Sequence, residues 1–294
     1  MKKNAFIFAF ACSLAACAAS RPEVRLTSEP SIERAFDVLA RTRQGGQLLK
    51  FLYKNPVRFE YSNSAGNCHK FSLNKGLIFL PLEMKGSDHV LALALARAAH
   101  VYRLYALTGL DELISEEEEL AALFQAHLAL DMNLAGGEFE KAENAAKMKK
   151  DFCTYIMNPS RYTMAQARKE ALGFDPDCQR PLETLTAQQT WLGKIRQAMN
   201  EDNFPQLLSE RDQQRVRKGM MTMSEAMKND ARVRAMPSYE TYRFQRTFYD
   251  DQRDIFSSFE KIYKREVAED EAWRRAHKEE IDRARAEFSD CGLN

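Results

Sequence analysis

The sequence contains few of the residues that interrupt regular structure, with 12 glycines and 9 prolines among 294 residues. Alanine, leucine, glutamate, lysine and arginine, which favour helices, are abundant. This composition predicts a mostly helical protein. Charge of either sign is not in excess, because 43 basic side chains face 42 acidic ones. Such a balanced surface has no strong field to attract polyanions, so we expect no nucleic-acid partner.

Several short motifs that carry chemistry are also missing. The chain has no G-x-S-x-G sequence to hold a nucleophilic serine and no glycine-rich loop to bind phosphate. None of its cysteines forms a C-x-x-C pair, which excludes the usual zinc-finger and thioredoxin-like sites. The stretch YETYRFQRTFYDDQR mixes acids with its arginines, so its aromatic residues do not predict RNA stacking.

The first twenty residues, MKKNAFIFAFACSLAACAAS, have the features of an export signal. Two lysines precede an apolar stretch that is too short to span a bilayer as a finished helix. The end of this stretch, Leu14-Ala15-Ala16-Cys17, resembles the lipobox of bacterial lipoproteins. The resemblance implies cleavage before Cys17, acylation of Cys17 and durable anchoring by two or more acyl chains. Ala18, rather than Asp, implies the outer membrane. A plain signal peptide that contains cysteines is the alternative.

The predicted organisation has four parts. Residues 1–16 are the signal peptide and residues 17–30 a lipidated tether. Residues 31–135 form an α+β core in which a three-stranded sheet (VRFEYS, CHKFSL and LIFLP) packs on a pair of helices. Residues 136–294 form a helical carboxyl-terminal region with one long helix. The fold class is therefore α+β and predominantly helical.

Apolar periodicity and capping residues place the main helices. The Gly45-Gly46 pair is expected to end the first helix, and Asp88 to cap a helix over 89–107. A helix is also predicted over about 137–157, and a long one over about 239–288. The long helix has an apolar stripe, which we interpret as a core seam because such stripes usually pack against neighbouring helices. The stripe consists of Phe244, Phe248, Ile255, Phe259, Ile262, Trp273, His277 and Ile281.

Four cysteines follow Cys17, an even number that suits an oxidising compartment. We predict a disulfide between Cys153 and Cys178, which closes a modest loop. The second predicted disulfide joins Cys68 to Cys291 and pins the carboxyl terminus to the body. Four cysteines allow three pairings, and four free thiols are the alternative.

Residues 32 to 133 resemble the core of small metallopeptidase domains of the zincin type. The likeness rests on the order of three strands, the helix DHVLALALARAAHVYRLY and the helix that begins at SEEEEL. In zincins, H-E-x-x-H places two histidines one turn apart on a metal, and a third ligand follows on the next helix. The resemblance implies that His100 matches the second histidine and that Glu118 or Glu119 matches the third ligand. It also implies that GLIFLP is an edge strand that pairs with a substrate backbone.

Two positions depart from the zincin pattern. Ala96 replaces the first histidine and has no lone pair. Arg97 replaces the glutamate and stays protonated, so it cannot take a proton from water. We therefore treat Ala96, Arg97, His100, Glu118 and Glu119 as vestigial positions, and we expect no zinc, no other cofactor and no peptidase catalysis by the usual route. An ion pair between Arg97 and a glutamate in place of the metal is a further hypothesis, and packing is the simplest interpretation of His100.

The sequence thus predicts a lipid-anchored protein of the bacterial envelope that faces the periplasm or the cell surface. The simplest interpretation is a non-catalytic binding or scaffold protein. Its expected partners are the bilayer, through acylated Cys17, and a peptide or envelope protein in the cleft. One alternative is a metal-dependent hydrolase with a non-standard site, for which His100, Glu119 and His127 would be the ligands. The other alternative is a purely structural helical lipoprotein.

Overall fold

A computed structural model describes residues 24–62, 70–72, 75–81, 86–110, 114–142, 145–158, 174–175, 180–181, 184–199, 208–234, 237–288 and 291. Most of these residues lie in helices, and a small sheet follows the first two helices. The prediction of a predominantly helical α+β protein is therefore confirmed. The predicted signal peptide, which contains Cys12, lies outside the described residues, as do Cys17, Cys68 and Cys178.

Helices α1 (Pro30–Ala40) and α2 (Arg43–Lys54) form the first helical pair. The Gly45-Gly46 pair was predicted to end α1, and this is wrong, because both glycines lie in the first turn of α2. The hydroxyl of Thr42 accepts a hydrogen bond from the Gly45 N–H at 2.9 Å and so caps α2. A Cβ at Gly45 would lie 2.3 Å from the carbonyl oxygen of Leu39, so this tight connection requires a glycine.

The sheet contains β1 (Arg58–Tyr61), β2 (Lys70–Ser72) and β3 (Leu77–Leu80). Strand β3 lies in the middle, parallel to β1 and antiparallel to β2. The expectation that GLIFLP is a free edge strand is therefore wrong, because a neighbouring strand occupies each side of its backbone. An extended substrate cannot add to β3 as a further strand.

Helices α3 (Asp88–Thr108) and α4 (Ser115–Asp131) pack against each other, and α3 also packs against α1. Ser87, rather than the predicted Asp88, caps α3, because its hydroxyl accepts a backbone hydrogen bond from the first turn. Gly109 ends α3 in the left-handed conformation, with φ 78°. Helix α3 is long and apolar enough to cross a membrane, but 67% of its most apolar window is buried inside the protein, as in a core helix.

The carboxyl-terminal half continues with short helices and ends with a long one. The remaining elements are α5 (Gly136–Glu140), α6 (Ala146–Met157), β4 (Phe174–Asp175), β5 (Arg180–Pro181), α7 (Leu185–Ala198), α8 (Glu210–Arg217), α9 (Met223–Asn229), α10 (Ala231–Arg234), α11 (Pro237–Ala276) and α12 (Lys278–Glu287). The single helix predicted over 137–157 is thus divided into α5 and α6. The division lies where Lys141 packs closely on Gly86: a Cβ at Gly86 would be 2.0 Å from the carbonyl oxygen of Lys141.

The apolar stripe of the long carboxyl-terminal helix is buried only in part. Phe259 is 0% exposed and lies in the main core, as predicted. Phe244 and Phe248 are 75% and 37% exposed, so the prediction is wrong for the first turns of α11. These turns pack instead through Tyr239 and Tyr242 on a second, smaller apolar cluster. The main core contains side chains from both predicted regions, 31–135 and 136–294.

Cys153 on α6 is disulfide-bonded to Cys291, with Cα atoms 5.8 Å apart. The predicted pairs Cys153–Cys178 and Cys68–Cys291 are both wrong, because each requires a cysteine that is already bonded. The ring of Phe288 packs edge-on against an aromatic ring of α6, with centroids 5.2 Å apart. This contact brings the end of the chain to α6 and explains why these two cysteines meet.

Replacing Gly45 by alanine should destabilise the protein by about 1–3 kcal/mol, because the new methyl group overlaps the carbonyl oxygen of Leu39. Gly46→Ala is the matched control in the same helical turn, since its Cβ would meet its nearest atom at 3.7 Å. We expect this control to be neutral or stabilising by about 0.5–1 kcal/mol. Urea unfolding measures both changes, and equal behaviour of the two variants would contradict the close contact.

Candidate functional site

The five positions that the zincin resemblance singles out lie where α3 meets α4, and little of any of them is exposed. Ala96 is 0% exposed, so its methyl group belongs to the core and lines no open cleft. Arg97 and His100 follow on the same helix and point to different partners. Glu118 and Glu119 lie in the first turns of α4 and are also buried. The five positions are therefore close in the fold, but they do not converge on one point.

Arg97 forms the first buried polar group. Its guanidinium is ion-paired with Glu118 and with Asp151, whose Oδ2 lies 2.9 Å from Nη1. Nη1 also donates to the Gln125 side chain at 3.3 Å, and the Gln125 amide donates to the carbonyl oxygen of Leu93 at 3.1 Å. Burial lowers the pKa of Arg97, but the two carboxylates raise it by more, so the net pKa lies above the ordinary value. The guanidinium thus joins α3, α4 and α6 as a permanent cation.

His100 does not face Glu118 or Glu119, and the arrangement expected from the zincin resemblance is wrong at this point. Its Nε2 lies 3.2 Å from Oε2 of Glu266 on α11, and its ring stacks on Phe124 with centroids 4.7 Å apart. The side chain is 1% exposed, and neither ring nitrogen has good hydrogen-bond geometry with any described residue. Glu266 also pairs with Arg103 at 3.1 Å.

The carboxylate of Glu119 is hydrogen-bonded to a tyrosine of α11. Its Oε2 accepts a hydrogen bond from the hydroxyl of Tyr263 on α11 at 2.7 Å. Glu119 therefore belongs to the contact between α4 and α11. The proposed ligand set of His100, Glu119 and His127 is not assembled, because the two histidines pair with different carboxylates of α11.

His127 on α4 forms a second buried network, which the sequence analysis did not foresee as a unit. Its Nε2 lies 2.7 Å from Oδ1 of Asp270 and 3.0 Å from the hydroxyl of Tyr155. The Tyr155 hydroxyl donates to Asp270 at 2.8 Å, and Arg274 donates to the other carboxylate oxygen at 3.0 Å. Burial raises the pKa of Asp270, but the His127 and Arg274 partners bring the net pKa below the ordinary value.

The same histidine is part of an aromatic stack. The rings of His127 and Trp273 are 4.1 Å apart and inclined by 17°. The rings of Trp273 and His277 are 4.0 Å apart and inclined by 11°. The indole is therefore in near-parallel contact with both imidazoles, and this fixes the side of α11 that faces α4.

These residues border a cleft of about 530 Å³ between α2, α4 and α11. Its apolar part comes from Leu48, Phe51, Leu120, Leu123, Phe124 and Trp273. Its polar part includes Gln44 and Gln47 from α2, and His127, Asp270 and His277 from the opposite side. A volume in this range is typical of sites for small molecules and short peptide segments. The cleft is the principal candidate for a ligand site within the described part of the chain.

The donor groups do not form an evident metal site. Among the described residues, no three His, Cys, Asp or Glu side chains converge as a metal ion would require. The expectation that the protein holds no zinc stays a prediction. The residues that the sequence analysis missed, Asp151, Glu266 and Asp270, lie far along the chain from their partners and belong to no short motif.

Replacing Arg97 by methionine should destabilise the protein by about 3–5 kcal/mol, because the carboxylates of Glu118 and Asp151 would stay buried without their cation. The matched control is Arg34→Met, which removes an ion pair to Asp88 whose side chains are 58% and 36% exposed. We expect less than about 1 kcal/mol for this control. Urea unfolding at pH 7 compares the two, and a similar small loss in both would contradict the buried network.

Glu266→Gln should make stability less dependent on pH. Burial raises the pKa of Glu266, but His100 and Arg103 bring the net pKa below its ordinary 4.5. The ionised group therefore stabilises the fold fully above about pH 4.5, and this contribution is lost as the pH falls through the lower folded-state pKa. At pH 7 the variant should be less stable by about 1–3 kcal/mol.

The difference between wild type and Glu266→Gln should close when unfolding is measured from pH 7 down to pH 3. Glu269→Gln, three residues further along α11 and 68% exposed, is the control and should change stability by no more than about 0.5 kcal/mol. A gap for Glu266→Gln that stays constant over the whole range would contradict this account.

Comparison with known proteins does not assign the chain to a family. No protein-family pattern, no curated protein and no solved structure matches the chain. The chemistry of the site is therefore that of its own residues. These are a buried guanidinium between carboxylates, a His–Asp–Tyr network and a mixed polar and apolar cleft.

Proposed function

We propose that the protein is a lipid-anchored component of the bacterial cell envelope that binds or scaffolds other molecules and does not hydrolyse peptides. The observation that carries this proposal is the buried Arg97 cation between Glu118 and Asp151. In the zincin resemblance, Arg97 takes the position of the residue that must accept a proton from water. A guanidinium whose pKa is raised further cannot accept one.

The same cation opposes the binding of a metal at this place. At about 4 Å and an effective dielectric constant of about 20, a guanidinium and a dication repel each other by roughly 8 kcal/mol. Ala96 is fully buried and supplies no ligand atom, and His100 and Glu119 are engaged with α11. The arrangement therefore supports a role in which α3 and α4 are held together by an ion pair and no metal is needed.

Anchoring is supported by the sequence Leu14-Ala15-Ala16-Cys17. Acyl chains on Cys17 would hold the protein on a membrane, and the outer membrane is the proposed location, with the helical body facing the periplasm or the cell surface. The binding role is supported by the cleft between α2, α4 and α11, which has both apolar and hydrogen-bonding side chains. A peptide or an envelope protein is the proposed partner at this cleft.

Acylation is tested by expressing the full chain in a Gram-negative host and measuring its mass and its partition into detergent. We expect the mature wild type to begin at Cys17, to carry acyl mass there and to enter the detergent phase. Cys17→Ser should lose both properties. Cys12→Ser is the matched control, because Cys12 is removed with the signal peptide and its replacement should change neither property.

The same purified protein tests the absence of catalysis. Incubation with a mixture of unstructured peptides, with and without added zinc, should give no cleavage above the level of a buffer control. Zinc-dependent cleavage that a chelator abolishes would overturn the non-catalytic proposal, whatever the result for acylation. An unmodified Cys17 would overturn the anchoring proposal alone.

A further inference from the structure

The cleft between α2, α4 and α11 has two amide side chains on one wall. Gln44 and Gln47 lie three residues apart in the first two turns of α2, so they are neighbours on one face of the helix. Each carboxamide offers one acceptor oxygen and two N–H donors. This is the same pattern of donor and acceptor that a peptide bond offers, so the wall is suited to pair with a main chain.

One of these amides has an unmet hydrogen bond. The nitrogen of Gln44 points to Nδ1 of His127 at 3.4 Å, and His127 itself is fixed by Asp270. The oxygen of Gln44 is buried and has no hydrogen-bond donor among the described residues. A buried acceptor without a donor is unfavourable by about 1–3 kcal/mol. Because this oxygen is closed to solvent as it stands, a ligand N–H reaches it only once the Gln44 carboxamide turns toward the cleft, and the new hydrogen bond then adds to the affinity.

The remainder of the cleft defines what the ligand must carry besides N–H groups. The apolar surface of Leu48, Phe51, Leu123 and Phe124 offers a place for an apolar side chain. Four carboxylates and two guanidinium groups line the cleft. Glu266 and Asp270 are already paired with Arg103 and Arg274, so Asp131 and Glu269 are the two carboxylates that a ligand can meet. The ligand should therefore be apolar at one point and cationic at another.

Asp131 is one of two exposed carboxylates that line the cleft. Partial burial raises the pKa of Asp131, and this effect is larger than the opposing influence of His127, His277 and Arg43. Asp131 is nonetheless exposed, so a basic side chain of a ligand can reach its carboxylate. Glu269 lies on the opposite helix, is 68% exposed and adds a second carboxylate to the lining.

We propose that this cleft binds an extended peptide that presents an apolar side chain next to a basic one. A main-chain N–H of the peptide donates to the Gln44 oxygen, the apolar side chain enters between α2 and α4, and the basic side chain meets Asp131 and Glu269. This assignment rests on the proposed binding role and names the class of ligand. It moves the peptide site away from β3, whose backbone is paired on both sides.

Calorimetry on the mature, acylated protein in detergent tests the assignment with two matched peptides. The first is acetyl-Leu-Lys-Phe-Arg-amide, and the second is acetyl-Leu-Glu-Phe-Glu-amide, which keeps the apolar side chains and reverses the charge. We expect the basic peptide to bind at least about tenfold more tightly than the acidic one, and added salt to reduce the difference. Equal binding of the two peptides, or no binding of either, overturns the proposal.

Two variants test the position of the site. Gln44→Leu removes the acceptor and should weaken binding of the basic peptide by about tenfold. Gln47→Trp places a bulky ring at an exposed position of the cleft wall and should abolish binding without disturbing the core. The controls are Gln214→Leu and Gln214→Trp, at an exposed position of α8 that does not line the cleft.

Thermal unfolding of each variant shows whether it is folded before its binding is judged. Binding that survives unchanged in both folded cleft variants overturns the assignment of the site. Failure of this inference is distinguishable from failure of the proposed function, because acylation and peptide cleavage are measured separately. Cleavage of the basic peptide would overturn the non-catalytic function. Even then, loss of binding in Gln47→Trp would support the assignment of the peptide site to this cleft.

Discussion

A buried guanidinium is the constraint on which the centre of this fold depends. Removing a charged side chain from water is strongly unfavourable unless it is surrounded by groups that replace the water. Arg97 meets this requirement only if Glu118 and Asp151 approach it from two other helices at once. Helices α3, α4 and α6 must therefore reach one particular arrangement, and Gln125 extends the network to the backbone of α3. The ion pairs of Arg97 thus connect the three helices to one another.

The long helix α11 is also held in place by buried polar contacts, which are spread along several of its turns. Five polar or aromatic side chains recur on one side of it at alternating intervals of three and four residues, as in the seam of a coiled coil. They are Tyr263, Glu266, Asp270 and Trp273 on the helix, and His277 directly after its last residue. Four of them meet a specific partner on α3 or α4. A shift of α11 by one turn would separate these partners and leave charges buried, so the polar seam specifies the register of the helix.

The sequence allowed the helices near the amino terminus to be predicted because their apolar spacing is a local signal. The residues expected to end or cap them, Gly45-Gly46 and Asp88, were wrong, since several nearby residues could serve equally well. The sequence did not allow the order of the strands to be predicted, since β3 looks the same in the sequence whether it lies at an edge or in the middle. The disulfide was missed because loop length says little about which cysteines meet. The partners Asp151, Glu266 and Asp270 were missed for a similar reason: an acid on a charged helix is recognisable as buried only once the facing helix is known.

The bond between Cys153 and Cys291 closes a loop with a sequence separation of 138 residues, nearly half the chain. In the chain-entropy view, such a closure lowers the conformational entropy of the unfolded chain and stabilises the folded state by about 5 kcal/mol. It also makes the carboxyl-terminal half tolerant of damage, because a protease that cuts the backbone once inside this loop leaves both pieces covalently joined. A nicked molecule would remain one particle until a reductant reached the two sulfurs.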